Sequence, residues 1–448
     1  MSQQSDRMSG TTGTLPTRVP AGYALGSLAT GAFGTVPGLL LLPYLTDTLG
    51  IAAALAGVLV LAPKAWDVLL NPVVGRISDR AGTRRPFLLA GGLALAVLFA
   101  AIFAGPFRSG VPAALYVAFA FLTTATAFAF FQVPYVAMPA ELTDSYTERT
   151  RLMTWRVAVL AVAILVSGAL APVIVNASGD GIAGHRWMGL FVAAVIAVGV
   201  LGVYVGTARA PLSVEGGSEP SLRAQLRVAA SNDAFRGLLV CFVVQAAGIA
   251  TMLAGVQYFA THVLKDEETG PTVLFACFVG PALLVMPLWK RVGQRSGKLR
   301  GYRISSSMFA AGAAVLLAAP VVPAVVVYLV TAVIGVGYAG QQVFGLAMLP
   351  DCIAYDAART GRRQAGVFTG VWTAGETLGL ALGPGVYAVV LAVFGYVSST
   401  SGTVAQSSSA RLGVLLGFTV LPAVLVAGAL VFLRGYDLTP EKLSEVQS

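Results

Sequence analysis

The chain has 448 residues, of which 56% are apolar and only 11% charged, with a mean hydropathy of +0.80 and a net charge of +9. Its charges are too few to cover water-soluble domains of this size, so a soluble enzyme is excluded and the chain reads as membrane-embedded. The basic excess sits between apolar runs and not on one folded face, which fits orientation in a bilayer and argues against nucleic-acid binding.

The polar tail at 1–20 lacks the ordered regions of a signal peptide. Twelve apolar segments follow, at about 21–46, 51–75, 86–106, 112–138, 154–176, 187–207, 237–261, 270–289, 303–322, 324–349, 365–396 and 411–433. As helices rising about 1.5 Å per residue, all of them can cross a hydrocarbon layer about 30 Å thick. Backbone amides must be bonded within each segment in lipid, and strict two-residue alternation is absent, so helices are expected over a barrel. The expected fold is all-α: twelve transmembrane helices in two six-helix bundles, 21–207 and 237–433. The polar stretch 208–236, with Pro211 and Pro220, reads as a cytoplasmic linker, and 434–448 as a cytoplasmic tail.

Most Lys and Arg fall in alternate loops, leaving Arg108, Arg186, Lys265 and Arg411 on the other side and Lys64 within a segment. That bias places both termini in the cytoplasm of a cell-membrane protein. The loop after the second segment, Arg76-Ile-Ser-Asp79-Arg80-Ala-Gly82-Thr-Arg84-Arg85, is echoed after the eighth by Arg291-Val-Gly-Gln294-Arg295-Ser-Gly297-Lys-Leu-Arg300. Arg76, Arg80, Gly82 and Arg85 match Arg291, Arg295, Gly297 and Arg300 at one constant offset, as duplicated halves would. Short basic turns can also resemble one another through composition alone.

Two acids, Asp67 and Glu376, fall inside segments, where an ionisable group costs on the order of 3 kcal/mol and normally faces a partner or a wet cavity. Lys64, Asp67 and Asn71 are spaced i, i+3, i+7 and share one helical face, suited to holding a proton or a small cation. A static Lys64–Asp67 pair is the plainer alternative. Glu376 shares a face with Trp372 and Thr373, a combination that can stack on and hydrogen-bond a polyhydroxylated or cationic solute. Alternatively, Glu376 is a counter-ion to Lys64. Gly34, Pro37, Gly38, Pro134, Gly335, Gly337, Gly340 and Gly383-Pro384-Gly385 mark hinges or close contacts.

Cys241, Cys277 and Cys352, with His185 and His262, show neither a disulfide framework nor metal-ligand spacing. Gly297-Lys298 lacks the flanking residues of a phosphate loop, so no ATP-driven pump and no cofactor is indicated.

The chain resembles the major facilitator superfamily, and within it the glycoside–pentoside–hexuronide:cation symporter branch that includes the melibiose permease. The general likeness lies in Gly75-Arg-Ile-Ser-Asp79-Arg80-Ala-Gly82-Thr-Arg84-Arg85. The branch likeness lies in Trp66-Asp67 with Asn71-Pro72 and Gly75, Arg85-Pro86-Phe87, Val133-Pro134-Tyr135, Pro139-Ala-Glu141-Leu-Thr143, Glu148-Arg149-Thr150, Asp351 through Asp356 and Thr360-Gly361-Arg362-Arg363. Together these blocks cover nearly the whole chain.

The resemblance implies a secondary transporter working by alternating access. It makes Asp67 the first of the family's paired cation-site aspartates, with Asn71 in place of the second, and Lys64 a basic modulator. Arg156 matches the family's sugar-site arginine. Gln132 stands at the position of an acid, Gln342 at that of a tryptophan and Thr377 at that of a lysine. With one anionic ligand gone, protons are favoured over sodium, or coupling is absent. Gln132, Arg156, Gln342, Trp372, Thr373 and Glu376 are the expected substrate-cavity residues, and Asp79, Arg80, Arg84 and Arg85 a cytoplasmic latch. The expected cargo is a small polar solute such as a sugar or glycoside. Export of an amphipathic metabolite or drug, a lysolipid carrier and a non-transporting sensor are the alternatives. The lipid bilayer is an expected partner; no obligatory protein partner is, and a monomer suffices.

Overall fold

The computed structural model describes residues 15–81, 83–143, 146–179, 181–208, 227, 230–360, 365–400 and 404–438. Most of 1–20, 208–236 and 434–448 therefore lies outside the described residues, as does Gly82. Among the described residues all regular secondary structure is helical: α1 (Arg18–Val36), α2 (Ala53–Arg80), α3 (Arg85–Phe103), α4 (Gly110–Leu142), α5 (Tyr146–Ala177), α6 (Gly181–Gly206), α7 (Asp233–Phe259), α8 (Gly270–Leu284), α9 (Met286–Ser296), α10 (Lys298–Val315), α11 (Ala324–Thr360), α12 (Ala365–Val393), α13 (Ser408–Phe418) and α14 (Val420–Ala429). The helices α8 and α9 form one crossing bent by 53°. Pro287, near the start of α9, lacks the amide that would continue the ladder. Likewise α13 and α14 make up the last crossing, broken at Thr419.

Ten helical spans among the described residues are long and apolar enough to cross a membrane, and the bent pair makes an eleventh. The twelfth crossing is α2, whose 28 residues would span about 42 Å but whose apolarity is diluted by Lys64, Asp67, Asn71 and Arg76. Thus the fold is a multi-pass membrane protein of two six-helix bundles. Several helices overrun their apolar segments toward the end that bears the termini: α2 continues to Arg80, α5 begins at Tyr146 and α11 reaches Thr360. Large apolar side chains such as Val97, Phe119, Val205 and Val389 remain exposed on the outside of the bundle, as a hydrocarbon-facing surface requires.

In the first bundle α1 packs on α5 and α6, and α3 on α4 and α6; in the second α7 packs on α12 and α14, and α11 on α10 and α8. Small residues set these distances. Gly22 on α1 and Gly206 on α6 cross so closely that a Cβ on either would lie 2.4 Å from the other's Cα. A Cβ at Gly335 would strike the Phe278 carbonyl, and one at Gly383 the Ala250 backbone. The halves meet where α2 packs on α12, with Gly57 against Gly385 and Ala388, and where α5 packs on α8. The glycines and proline at 383–385 therefore serve close contact, within the second half through Gly383 and across the halves through Gly385.

Three π-helical stretches close the ends of α1 and α7. After Pro37 and Pro43 interrupt the regular ladder, residues Pro37–Leu41 and Tyr44–Thr48 bond five residues back, as in Leu49 N to Tyr44 O at 3.0 Å. In the second half Ala260–Leu264 does the same and ends at Lys265, whose φ is 58°.

Overpacking typically costs about 1–3 kcal/mol, and at Gly22 no flexible side chain is available to yield. Gly22→Val is therefore expected to lower the thermal unfolding midpoint of the detergent-purified protein, whereas Gly34→Ala, which meets nothing within 4 Å, leaves it nearly unchanged.

Candidate functional site

The polar face of α2 forms as the spacing requires, but its members are not paired with one another. Asp67 is 3% exposed, and its Oδ1 has no hydrogen-bond partner. Asn71 Oδ1, one turn on, is equally unpartnered. Lys64 forms no ion pair with Asp67 or Glu376; its Nζ lies over the Phe33 ring, 5.0 Å from the centroid. Phe33 in turn packs on Phe128 at 4.2 Å, one turn before the half-buried Gln132 on α4. Neither pairing raised as an alternative is formed, and two buried acceptor oxygens stand open on one helical face.

Arg156 on α5 rests on an aromatic plate. Its guanidinium carbon lies 5.3 Å from the Tyr135 ring centroid, and that ring stacks on Tyr23 at 4.8 Å. The Tyr135 hydroxyl donates to Tyr23 O at 3.0 Å and meets Ser27 Oγ at 2.9 Å. The arginine Nε is buried with no partner, Nη1 reaches the Met153 sulfur at 3.9 Å, and the guanidinium also acts on the Tyr23 and Tyr135 hydroxyls. The plate fixes the cation in place and leaves the Nε donor of the guanidinium fork uncommitted.

In the second half Glu376 and Gln342 line one pocket with Tyr338, Gln341, Gln245 and Phe242. Gln342 Nε2 donates to the Tyr338 hydroxyl at 3.0 Å. Gln341 is 1% exposed, and neither atom of its amide has a partner; Gln245 donates to Ser306 Oγ at 3.0 Å, while its own Oε1 is unmet. Trp372 and Thr373 do not line this pocket with Glu376. Trp372 is buried in the core of the second half, stacked on Phe242 at 4.2 Å, and Thr373 donates to its own helix at Thr369 O. One turn of helix places both near Glu376 in angle, but α12 packs on α7 and draws the indole inward.

A family model described as MFS/sugar transport protein matches residues 22–440. The chain belongs to that family. It is a secondary transporter and not an enzyme. A putative glycoside/cation symporter of Escherichia coli (strain K12), YagG, is 24% identical over 438 residues, covering 95% of this chain and 93% of the relative. The isoprimeverose transporter of Lactiplantibacillus pentosus is 24% identical over 442 residues, covering 95% and 90%. In fold the transporter is similar to a bacterial homolog of the human lysosomal transporter Spinster, in an inward-facing and unoccupied conformation. The TM-score is 0.68 at 15% identity, with 96% of this chain and all of that one covered.

The loop arginines of the transporter bond inside their own half. Arg84 Nη1 donates to Ser78 Oγ at 3.1 Å. Arg85 donates through Nη1 to Ala208 O and through Nη2 to Tyr204 O, both at 2.8 Å, and lies over the Tyr204 ring. It thereby caps the last carbonyls of α6. Arg80 is exposed, and the side chain of Asp79 lies outside the described residues. In the second half Lys298 bonds both oxygens of Asp351, at 2.6 and 2.7 Å. Sequence reading missed Tyr23, Ser27, Gln245 and Gln341; Gln341, beside Gln342 in an otherwise apolar run, carried the one signal among them.

Hydrogen bonds from a charged donor are worth about 1.5–3 kcal/mol, so Arg85→Ala is expected to speed amide exchange around 204–208 and lower the unfolding midpoint. Arg85→Lys keeps the charge but not the fork; it should retain membrane orientation while losing most of that protection.

Proposed function

We propose that the protein is a proton-coupled symporter of a small polar solute such as a sugar or glycoside, set in a cell membrane with both termini in the cytoplasm. The observation that carries this reading is the unpartnered carboxylate of Asp67 beside the unpartnered carbonyl of Asn71 on the buried face of α2. A buried acid is kept in hydrocarbon at a cost of several kcal/mol, and a purely structural acid would be satisfied by a donor. Here the open acceptor is where a coupling ion binds. One carboxylate and one neutral amide supply little charge for sodium, which supports a proton at Asp67. The relatives named as a glycoside/cation symporter and an isoprimeverose transporter support the cargo class.

Arg156 on its tyrosine plate and the Gln245, Gln341, Gln342 and Glu376 pocket offer donors and acceptors on the two halves, as hydroxyl groups of a solute held between them require. Lys64, held over Phe33, supplies positive potential near Asp67 without occupying its open oxygen. Arg84 and Arg85 hold the loop between α2 and α3, which, with Asp79 and Arg80, would engage the other half when this end closes.

In proteoliposomes with an imposed pH gradient, Asp67→Asn is expected to abolish uphill accumulation of a radiolabelled glycoside while exchange of the same solute persists. Accumulation by Asp67→Asn at the parent level, or accumulation that follows a sodium gradient at constant pH, overturns the proton assignment. A thermal-shift panel of sugars, nucleosides, lysolipids and cationic drugs identifies the cargo class, because a ligand that binds the folded protein raises its midpoint.

A further inference from the structure

The hydrogen bonds that cross between the halves cluster at the end opposite the termini. Thr46 Oγ1 meets the Tyr258 hydroxyl at 2.7 Å, Ser399 N donates to Thr46 O at 2.9 Å, and Asn176 Nδ2 donates to the carbonyls of Glu267 and Glu268 at 3.1 and 2.8 Å. At the centre of this seal the Tyr396 hydroxyl donates to Asp47 Oδ1 at 2.9 Å, and the Tyr396 oxygen lies 2.9 Å from His262 Nε2. With the imidazole as the Nε2–H tautomer, a single chain runs from His262 through Tyr396 to Asp47. Its acid comes from the first half, and its phenol and imidazole from the second.

The two ends of the chain occupy matching places. At the same offset that aligns the repeated arginine loops, Tyr44-Leu-Thr46-Asp47 falls opposite Phe259-Ala-Thr261-His262. Both stretches are π-helical closures of the first helix of a half. Duplication has thus placed an acid and an imidazole where the two halves touch.

We infer that Asp47 is a second proton-binding site, loaded from the side opposite the termini, and that its protonation seals the gate between the halves. When the gate is open, Asp47 faces water and ionises. Closing it over the carboxylate strips that water away and brings one donor from the other half, Tyr396, to Oδ1, so the carboxylate takes a proton from hydronium onto Oδ2 as the halves meet. No lysine or arginine among the described residues pairs with Asp47. The groups that act on it are Tyr396, Thr46, Glu267, Tyr258 and Tyr387, while Arg411 acts on His262 and Arg186 on Tyr44. Beyond the apolar span of α1, burial outweighs the Tyr396 and Thr46 hydrogen bonds and raises the Asp47 carboxyl to about 7. A carboxyl raised in the closed form stabilises that form below its pKa and loses this contribution as pH rises through it. Against an exposed Asp of about 3.9, the closed-to-open ratio rises about tenfold from pH ~8 to pH ~6.

The inference rests on alternating access but not on Asp67, so its test uses an Asp67→Asn background, where the other acid does not titrate. Nitroxide labels on Ser109→Cys and Ala324→Cys, with Cys241, Cys277 and Cys352 replaced by Ala, report the distance across the far end by pulsed electron paramagnetic resonance in liposomes. The parent is expected to gain closed population about tenfold over that pH range. Asp47→Asn, or Asp47→Ser should the amide fold poorly, is expected to lose the pH response, with the amide staying closed throughout. His262→Gln is expected to keep it. A pH response unchanged in both Asp47 variants, a response lost in His262→Gln alone, or a parent distance indifferent to pH overturns the proposal. The Asp67 reading is judged by accumulation and survives any of these results.

Discussion

A polar group placed in hydrocarbon must find its partner within the protein, and this single cost organises the molecule. It makes every crossing a helix, and it drives Lys and Arg toward the ends. It also makes the exceptions informative. Most buried polar side chains here are bonded, as Thr46 is to Tyr258 and Gln245 to Ser306. Asp67, Asn71 and Gln341 keep buried atoms with no partner. In the function proposed above, such atoms are the places that ion and solute complete in turn.

Among the described residues, the hydrogen bonds between the halves lie at one end. At the far end Asp47, Thr46 and Asn176 reach across to Tyr396, Tyr258 and the loop after α7. At the end with the termini, the polar bonds of Arg85, Lys298, Asn232 and Arg359 stay within one half. Small residues make the contact between them compact, since Gly57 and Gly385 let α2 and α12 approach closely without interlocking side chains. Among the described residues the hydrogen bonds that cross between the bundles lie at that one end, where Phe275 of α8 also packs on Gly168 of α5, so the bundles can rock by opening it.

The sequence disclosed what repeats and what is costly. Segment lengths gave the twelve crossings because the bilayer fixes their length, and the paired arginine loops gave the two halves. The acids Asp67 and Glu376 stood out because an ionisable residue in an apolar run is expensive wherever it points. Orientation finer than a helical face was not legible. Trp372 lies at the right angle to Glu376 but turns into the core toward Phe242, a choice made by the packing of α7 on α12. Lys64 lies over Phe33 and forms no direct ion pair with Asp67, because a ring from α1, distant in the chain, takes its ammonium. Tyr23 and Ser27 carry no charge and interrupt no pattern, so only the fold could bring them to Tyr135 and Arg156. Asp47 sat at a segment edge, where acids are ordinary, and only the approach of Tyr396 distinguishes it.

Duplication supplied the scaffold, and divergence of side chains supplied direction. In the register of the repeated loops, Lys64, Asp67 and Asn71 fall opposite Val279, Ala282 and Met286, while Pro72 falls opposite Pro287. The backbone signal was kept and the charges were not. In the first half the helix remains continuous through Pro72, and in the second the chain bends by 53° beside Pro287. Two halves with identical polar faces would present the same attraction at every stage of rocking, and no state would be singled out by a bound ion. With the open acid on α2 matched in the repeat by an apolar position on α8, a proton or cation at the proposed site would change the energy of one half alone. A ligand shifts a conformational equilibrium only by as much as it binds the two states differently. An asymmetric pair built on a symmetric frame provides such a difference, while the shared frame keeps the inward and outward forms close enough in energy for a single ion to decide between them.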